Sequence, residues 1–97
     1  MIKHVVAWDF KEAGKQENIQ KLKGLLEKLP ALIPEIKSYE IGVNIKDSEI
    51  AKDMVLIFAF ADEASLQRYS DHPEHQRVVA ELRKVSQKTV VVDFEVA

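Results

Sequence analysis

The stretch MVLIFAF, residues 54–60, decides the fold of this chain because it is apolar at every position. Successive side chains of a β-strand point to opposite faces of a sheet, so both faces of a strand built from this stretch are apolar. A strand of this kind needs cover on both sides. The stretch therefore predicts a central strand with helices on one face and a second covering surface on the other.

Three further strands are predicted around this one. Residues 2–10 alternate along an extended segment that places His4 on the same side as Val6 and Trp8. Residues 36–45 alternate in the same way, and residues 89–96 form a β-branched run bounded by polar residues. Together with residues 54–60, these segments make a four-stranded sheet.

The intervening segments have the periodicity of amphipathic helices. Residues 15–29 place their leucines on one helical face, and Pro30 is expected to close that helix. Asp62 is a predicted N-cap for a short helix that runs to Tyr69, and Pro73 is expected in the first turn of the next helix. The predicted order is β-α-β-β-α-α-β, an α+β ferredoxin-like fold with a four-stranded antiparallel sheet.

This order leaves one face of the sheet without helices, and the sequence makes that face apolar. A patch of this kind is rarely left exposed by a monomer, and a second copy of the chain is the simplest cover. We therefore expect a homodimer that pairs through the helix-free sheet face. The alternative is an error of one residue in the face assignment, which would exchange every side chain between the faces. The residues assigned to this face are Val5, Ala7, Val55, Ile57, Ala59 and Val91.

Length and composition limit the possible classes of protein. With 97 residues, 46% of them hydrophobic and 31% charged, the chain is expected to form a single folded domain over residues 1–97. A net charge of −2 gives no basic surface for nucleic acid, so no nucleic-acid partner is expected. No apolar run is long enough to span a membrane and no signal peptide is recognised, which predicts a cytoplasmic protein without a membrane partner. The absence of cysteine excludes thiolate chemistry.

Several segments, in order, resemble the stress-responsive dimeric α/β-barrel (Dabb) family. The most specific is YSDHPEHQ, residues 69–76, which is similar to the family's Tyr followed by a His-Pro-x-His signature. One departure is Glu35, where the family often has Gly in a turn. The resemblance implies a ferredoxin-like protomer whose sheet pairs with that of a partner into a dimeric α/β barrel. The other segments that carry it are IKHVV (2–6), LPALIPEIKS (29–38), GVN (42–44) and VDF (92–94).

The resemblance also implies a pocket between the sheet and the helices. In a plant polyketide cyclase of this family, the pocket is an active site that uses a Tyr and a His without any cofactor. The matching residues here are Tyr69 and His75, while most members of the family have no assigned reaction. By this analogy, His75 is the general base that removes a proton from carbon, and Tyr69 donates a hydrogen bond to the oxygen that becomes negative.

The positions of these residues allow a second interpretation. His75 falls on the inward stripe of its helix, where it could equally be a neutral buried imidazole with one satisfied hydrogen bond. Tyr69 could serve only to pack the core, with its hydroxyl bonded to the backbone. His4 lies on the helix side of the first strand and could reach either residue, so it is the third candidate catalytic residue.

The sequence leaves the choice between several functions open. One is a small-molecule enzyme or binder of the cyclase type, in which a hydrophobic or polyketide-like ligand occupies an open pocket. Another is a non-catalytic stress protein whose dimer is itself the function, and a cofactor-free monooxygenase is a further possibility for the pocket. No metal is expected, because the pair His72 and His75 would need a third ligand. The resemblance to the cofactor-free cyclase implies that no cofactor is needed either.

Overall fold

The computed structural model describes residues 1–96, which form one antiparallel sheet with three helices against one face. Across the sheet, the second strand of the chain is followed by the third, the first and the fourth, so the first and third strands are central. The predicted ferredoxin-like α+β class and the order of all seven elements are confirmed. The elements are β1 (Ile2–Phe10), α1 (Lys15–Leu32), β2 (Ser38–Val43), β3 (Met54–Phe60), α2 (Glu63–Asp71), α3 (Pro73–Val85) and β4 (Ser86–Glu95).

The core lies between the sheet and the helices. The even-numbered side chains of β1 and β3 point toward the helices, and the aromatic ones among them are almost completely buried. Burial of each such ring stabilises the fold by about 1.5–3 kcal/mol. The largest fully buried side chains are Trp8, Phe10, Leu22, Leu29, Ile33, Met54, Phe58 and Phe60.

Two elements, α1 and β2, have boundaries that differ from the predicted ones for reasons of packing. Helix α1 continues past Pro30 to Leu32, because Ile33 is fully buried and its N–H donates to the carbonyl of Leu29 at 2.8 Å, which holds the last turn. Strand β2 is shorter than predicted because Ile36 is buried in the turn before it, whereas Ile45 lies in the following loop and is completely exposed.

Strand β4 begins three residues earlier than predicted, at Ser86, since Ser86 and Gln87 pair with Phe10 and Asp9. The pairing register with β1 shifts between Ala7 and Asp9. On β4 the shift falls near Lys88, whose φ of 54° is in the left-handed region. The β-bulge thus allows Ser86 and Gln87, polar residues predicted to lie before the strand, to pair as part of β4.

The helix-free face is apolar, as the sequence predicted, but one of its residues was wrongly assigned. Val91 pairs with Val6 and therefore shares the helix side of the sheet, because directly opposed residues of paired strands point to the same face. Val90, Val92 and Phe94 take the helix-free face and are 52%, 59% and 45% exposed. Their neighbours on this face are Val5, Ala7, Val55, Ile57 and Ala59.

Within residues 1–96, no helix has the length and apolar character needed to cross a membrane.

Candidate functional site

An apolar cavity of about 290 Å³ opens between the sheet and the helices. This volume is at the small end of the range of pockets that bind small molecules, about 300–1,000 Å³. Three of the four strands and all three helices contribute to it. Its lining consists of His4, Val6, Trp8, Leu26, Leu56, Tyr69, His75, Val78, Val79, Leu82, Arg83, Ser86 and Thr89.

The break between α2 and α3 places Tyr69 and His75 in the same wall of this cavity. Helix α2 starts with Asp62, whose carboxylate accepts a hydrogen bond from the N–H of Ser65 at 2.8 Å, and this bond lowers the pKa of Asp62. After Tyr69 the chain turns at His72, whose Nδ1 accepts from the N–H of Glu74 at 3.1 Å and caps α3. His72 is therefore used as a helix cap and does not line the cavity.

The rings of His75 and Tyr69 are in contact, with centroids 4.2 Å apart. The Nδ1 of His75 lies 3.0 Å from the carbonyl oxygen of Ser70, which can only accept, so Nδ1 carries the proton. Burial lowers the pKa of His75, while the bond to Ser70 opposes this shift. The neutral ring therefore leaves Nε2 unprotonated, as a general base requires.

Tyr69 is 2% exposed and its ring packs against Phe60 and Phe58, with centroid distances of 5.0 and 5.7 Å. Burial raises the pKa of its phenol well above the usual value, because the charged form would be desolvated. The hydroxyl thus stays protonated and can donate a hydrogen bond. No group between residues 1 and 96 forms a hydrogen bond with this hydroxyl, which leaves it available to a ligand.

His4 reaches the cavity from β1, with its ring centroid 5.9 Å from that of Tyr69. Its Nδ1 lies 2.5 Å from a carboxylate oxygen of Asp93, the residue directly opposite on β4. An acceptor on Nδ1 fixes the orientation of an imidazole and directs Nε2 the other way. His4 is mostly buried, with 15% of its side chain exposed, whereas Asp93 is 43% exposed.

The structure thus brings together the three residues singled out from the sequence, His4, Tyr69 and His75. Their predicted catalytic roles stay predictions. Sequence reasoning missed Asp93, which was noted only as part of a family motif. The signal needed to find it was the register of β4 against β1, and the bulge hides that register. In the part of the chain that the structure describes, no group of three or more His, Cys, Asp or Glu is placed to hold a metal ion.

Comparisons with known proteins agree with this architecture. The family model described as the stress responsive A/B barrel domain matches residues 2–96. A stress-response A/B barrel domain-containing protein of Arabidopsis thaliana, At5g22580, is 32% identical over 98 residues, covering 98% of this chain and 86% of that protein.

Solved structures match over nearly the whole chain. A dimeric protein of unknown function with a ferredoxin-like fold, from Bacteroides fragilis, has a TM-score of 0.89 and 26% identity, covering 98% of this chain and 95% of that one. The hydroxynitrile lyase of Passiflora edulis has a TM-score of 0.88 and covers 99% of this chain and 93% of its own. At 18% identity, the lyase shows similarity of fold alone.

Proposed function

Since this chain belongs to the stress-responsive A/B barrel domain family, we propose that it is a homodimer in which each protomer binds a small apolar molecule and moves a proton on it without a cofactor. The observation that carries the proposal is the contact between His75 and Tyr69 in the wall of an open cavity. If the cavity were filled by side chains, a purely structural role would be favoured. Instead, an imidazole and a phenol line an open space of about 290 Å³, which supports a ligand-binding role.

The step that these residues can perform is proton transfer from a carbon next to a carbonyl group. His75 Nε2 accepts the proton, the electron pair of the broken C–H bond forms the C=C bond of an enolate, and the π electrons of the carbonyl group move to its oxygen. The Tyr69 hydroxyl donates a hydrogen bond to that oxygen. His4, oriented by Asp93, is the third donor or acceptor at this end of the cavity. The imidazolium then gives the proton back, either to the same carbon or to another atom of the product, and His75 becomes neutral again.

The dimer in this proposal is supported by the exposed valines of β4 and by the dimeric neighbour from Bacteroides fragilis. The cavity and the helix-free face lie on opposite sides of the same strands, and no side chain assigned to the helix-free face lines the cavity. Dimerisation through that face would therefore leave the cavity free for a ligand. The two parts of the proposal can be tested separately.

Binding in the cavity is tested by a substitution that fills it. We expect benzoylacetone and para-butylphenol to raise the melting temperature of the wild-type protein and to bind at least tenfold more weakly to Val79→Phe. Val79 lines the cavity, whereas its neighbour Ala80 is exposed on α3, so Ala80→Phe is the matched control and should bind normally. Titration calorimetry measures both affinities.

Two outcomes would contradict the binding proposal. If Val79→Phe, shown by circular dichroism to be folded, bound these probes as tightly as the wild type does, the ligand would lie outside the cavity. If neither probe nor any related carbonyl compound bound to the wild type, the non-catalytic interpretation of the dimer would be favoured.

A further inference from the structure

The cavity has a second polar end, which neither the candidate catalytic residues nor the family motif accounts for. It is formed by Trp8, Arg83, Ser86 and Thr89, and we call it the far end. Trp8 is four residues from His4 on β1, which corresponds to about 13 Å along a strand. Arg83 is eight residues from His75 on α3, which corresponds to about 12 Å along a helix. The cavity is therefore elongated, with different chemistry at its two ends.

The indole N–H of Trp8 is a buried donor without an acceptor. Trp8 is 1% exposed, and its Nε1 has no hydrogen-bond partner among the described residues. The indole nitrogen can only donate, so an oxygen or nitrogen with a free lone pair would satisfy it. Leaving such a group unpaired costs free energy, because the donor has lost its hydrogen bond to water without gaining another. A ligand that supplied an acceptor here would recover that free energy.

The bulge in β4 adds hydroxyl groups to the same end. Thr89 is on the helix side together with Val91, two residues further along the strand. In a regular strand, only residues an even number of positions from Thr89 would share the helix side. Ser86, which is three positions from Thr89, would then point to the helix-free side. The bulge near Lys88 shifts the alternation by one residue, so that Ser86 and Thr89 both line the cavity.

Arg83 gives the far end its charge. The other two arginines form ion pairs, Arg68 with Glu35 at 3.0 Å and Arg77 with Glu74 at 3.3 Å. Arg83 forms no ion pair with any residue from 1 to 96, and the cavity lining contains no Asp or Glu. Arg83 is exposed on α3 but contributes to the cavity lining together with the Trp8 indole and the hydroxyl-bearing side chains of Ser86 and Thr89. A guanidinium and N–H and O–H donors in one lining that lacks a carboxylate are complementary to an anion.

We propose that the far end binds the carboxylate of an elongated apolar acid. The carboxylate accepts from Arg83 and from the Trp8 indole N–H, and the apolar body lies along Val6, Leu26 and Leu82. The opposite end of the acid then reaches Tyr69 and His75. This inference rests on the proposed ligand-binding role of the cavity and adds the class of ligand to it. One guanidinium balances one carboxylate, which favours a monoanion.

The test compares para-butylbenzoate with its neutral counterpart para-butylbenzyl alcohol at pH 8 and low salt. We expect the carboxylate to bind at least tenfold more tightly to the wild type, and Arg83→Gln to reduce this preference to less than threefold. Arg77→Gln is the matched control because Arg77 is on the same helix but outside the cavity. Trp8 is the only tryptophan, so a single indole N–H signal in an NMR spectrum reports on the far end.

The carboxylate is expected to move that indole signal in the wild type, and the alcohol to move it less. Equal affinities for the two probes, or an undiminished preference in a folded Arg83→Gln variant, would overturn the proposal. These measurements do not depend on turnover. If the wild type preferred the carboxylate but His75 supported no proton exchange, the anion site would be supported and the catalytic proposal refuted. If His75 supported proton exchange but the wild type showed no preference for the carboxylate, the catalytic proposal would be supported and the anion site refuted.

Discussion

The substitution His75→Asn is expected to slow α-proton exchange by roughly 10²–10⁴-fold, the usual contribution of a general base. A suitable reaction is the exchange for deuterium of the one proton on the carbon between the two carbonyl groups of ethyl α-ethylacetoacetate, followed by NMR. The side-chain amide of Asn can still donate to the carbonyl of Ser70, as His75 Nδ1 does at 3.0 Å. The variant thus removes Nε2 while keeping the local hydrogen bond.

The control for this experiment is His72→Asn. His72 is three residues away and caps α3, a role that Asn fills well, and it does not line the cavity. Its exchange rate should stay within a factor of two or three of the wild-type rate. The Tyr69→Phe variant should exchange the proton about 10²–10³-fold more slowly than the wild type, which is the usual effect of removing one hydrogen-bond donor to a developing oxyanion. If the rate of His75→Asn equalled that of the wild type, His75 would not be the base.

The same reaction has an expected pH dependence. The base works only when neutral, and burial lowers the pKa of His75 below its ordinary value of 6.5. The value of kcat/KM should therefore fall as the pH drops through this lowered pKa and should be independent of pH well above it. A rate that continued to rise well above pH 6.5 would point to another group as the base.

The second large effect is expected from Val92→Glu, which should raise the dissociation constant of the dimer by at least 100-fold. Val92 is 59% exposed on the helix-free face and pairs with Val5 in the sheet. In a two-fold dimer through this face, the substitution would bury two like charges near each other without partners. A 100-fold change corresponds to about 2.7 kcal/mol. Sedimentation velocity over a range of concentrations measures the equilibrium.

The neighbouring residue provides a control for the choice of face. Val91 is also a valine on β4 and is 52% exposed, but it shares the helix side of the sheet. Val91→Glu should leave the dimer intact. If both variants dissociated equally, the interface would be the edge of β4 and not its helix-free face, and a wild-type monomer at micromolar concentration would refute the dimer altogether.

Much of the fold could be predicted from the sequence because the strongest signals are local. The uninterrupted apolar run of residues 54–60, the cap at Asp62 and the proline at position 73 each fix an element or its boundary without knowledge of the rest of the chain. The errors occur where long-range packing prevails. The burial of Ile33 extends α1 past Pro30, and pairing with Phe10 draws Ser86 into β4.

The candidate site was predictable where a local pattern marks it: a motif for Tyr69 and His75, and the alternation of the first strand for His4. Tyr69 and His75 are found from YSDHPEHQ and from the inward stripe of α3. The partnership of His4 with Asp93, 89 residues apart in sequence, depends on the register of β1 against β4, and the place of Arg83 in the cavity lining depends on which residues lie near it in space. A bulge at Lys88 shifts that register, so no rule of simple alternation could place these contacts.

The most direct test of the central claim is a crystal structure of the wild-type protein with benzoylacetone bound. The account predicts the ligand inside the cavity, with one carbonyl oxygen about 3 Å from the Tyr69 hydroxyl and the central carbon about 3–3.5 Å from Nε2 of His75. A ligand bound on the helix-free face, or one inside the cavity with both carbonyl oxygens remote from Tyr69 and His75, would contradict it.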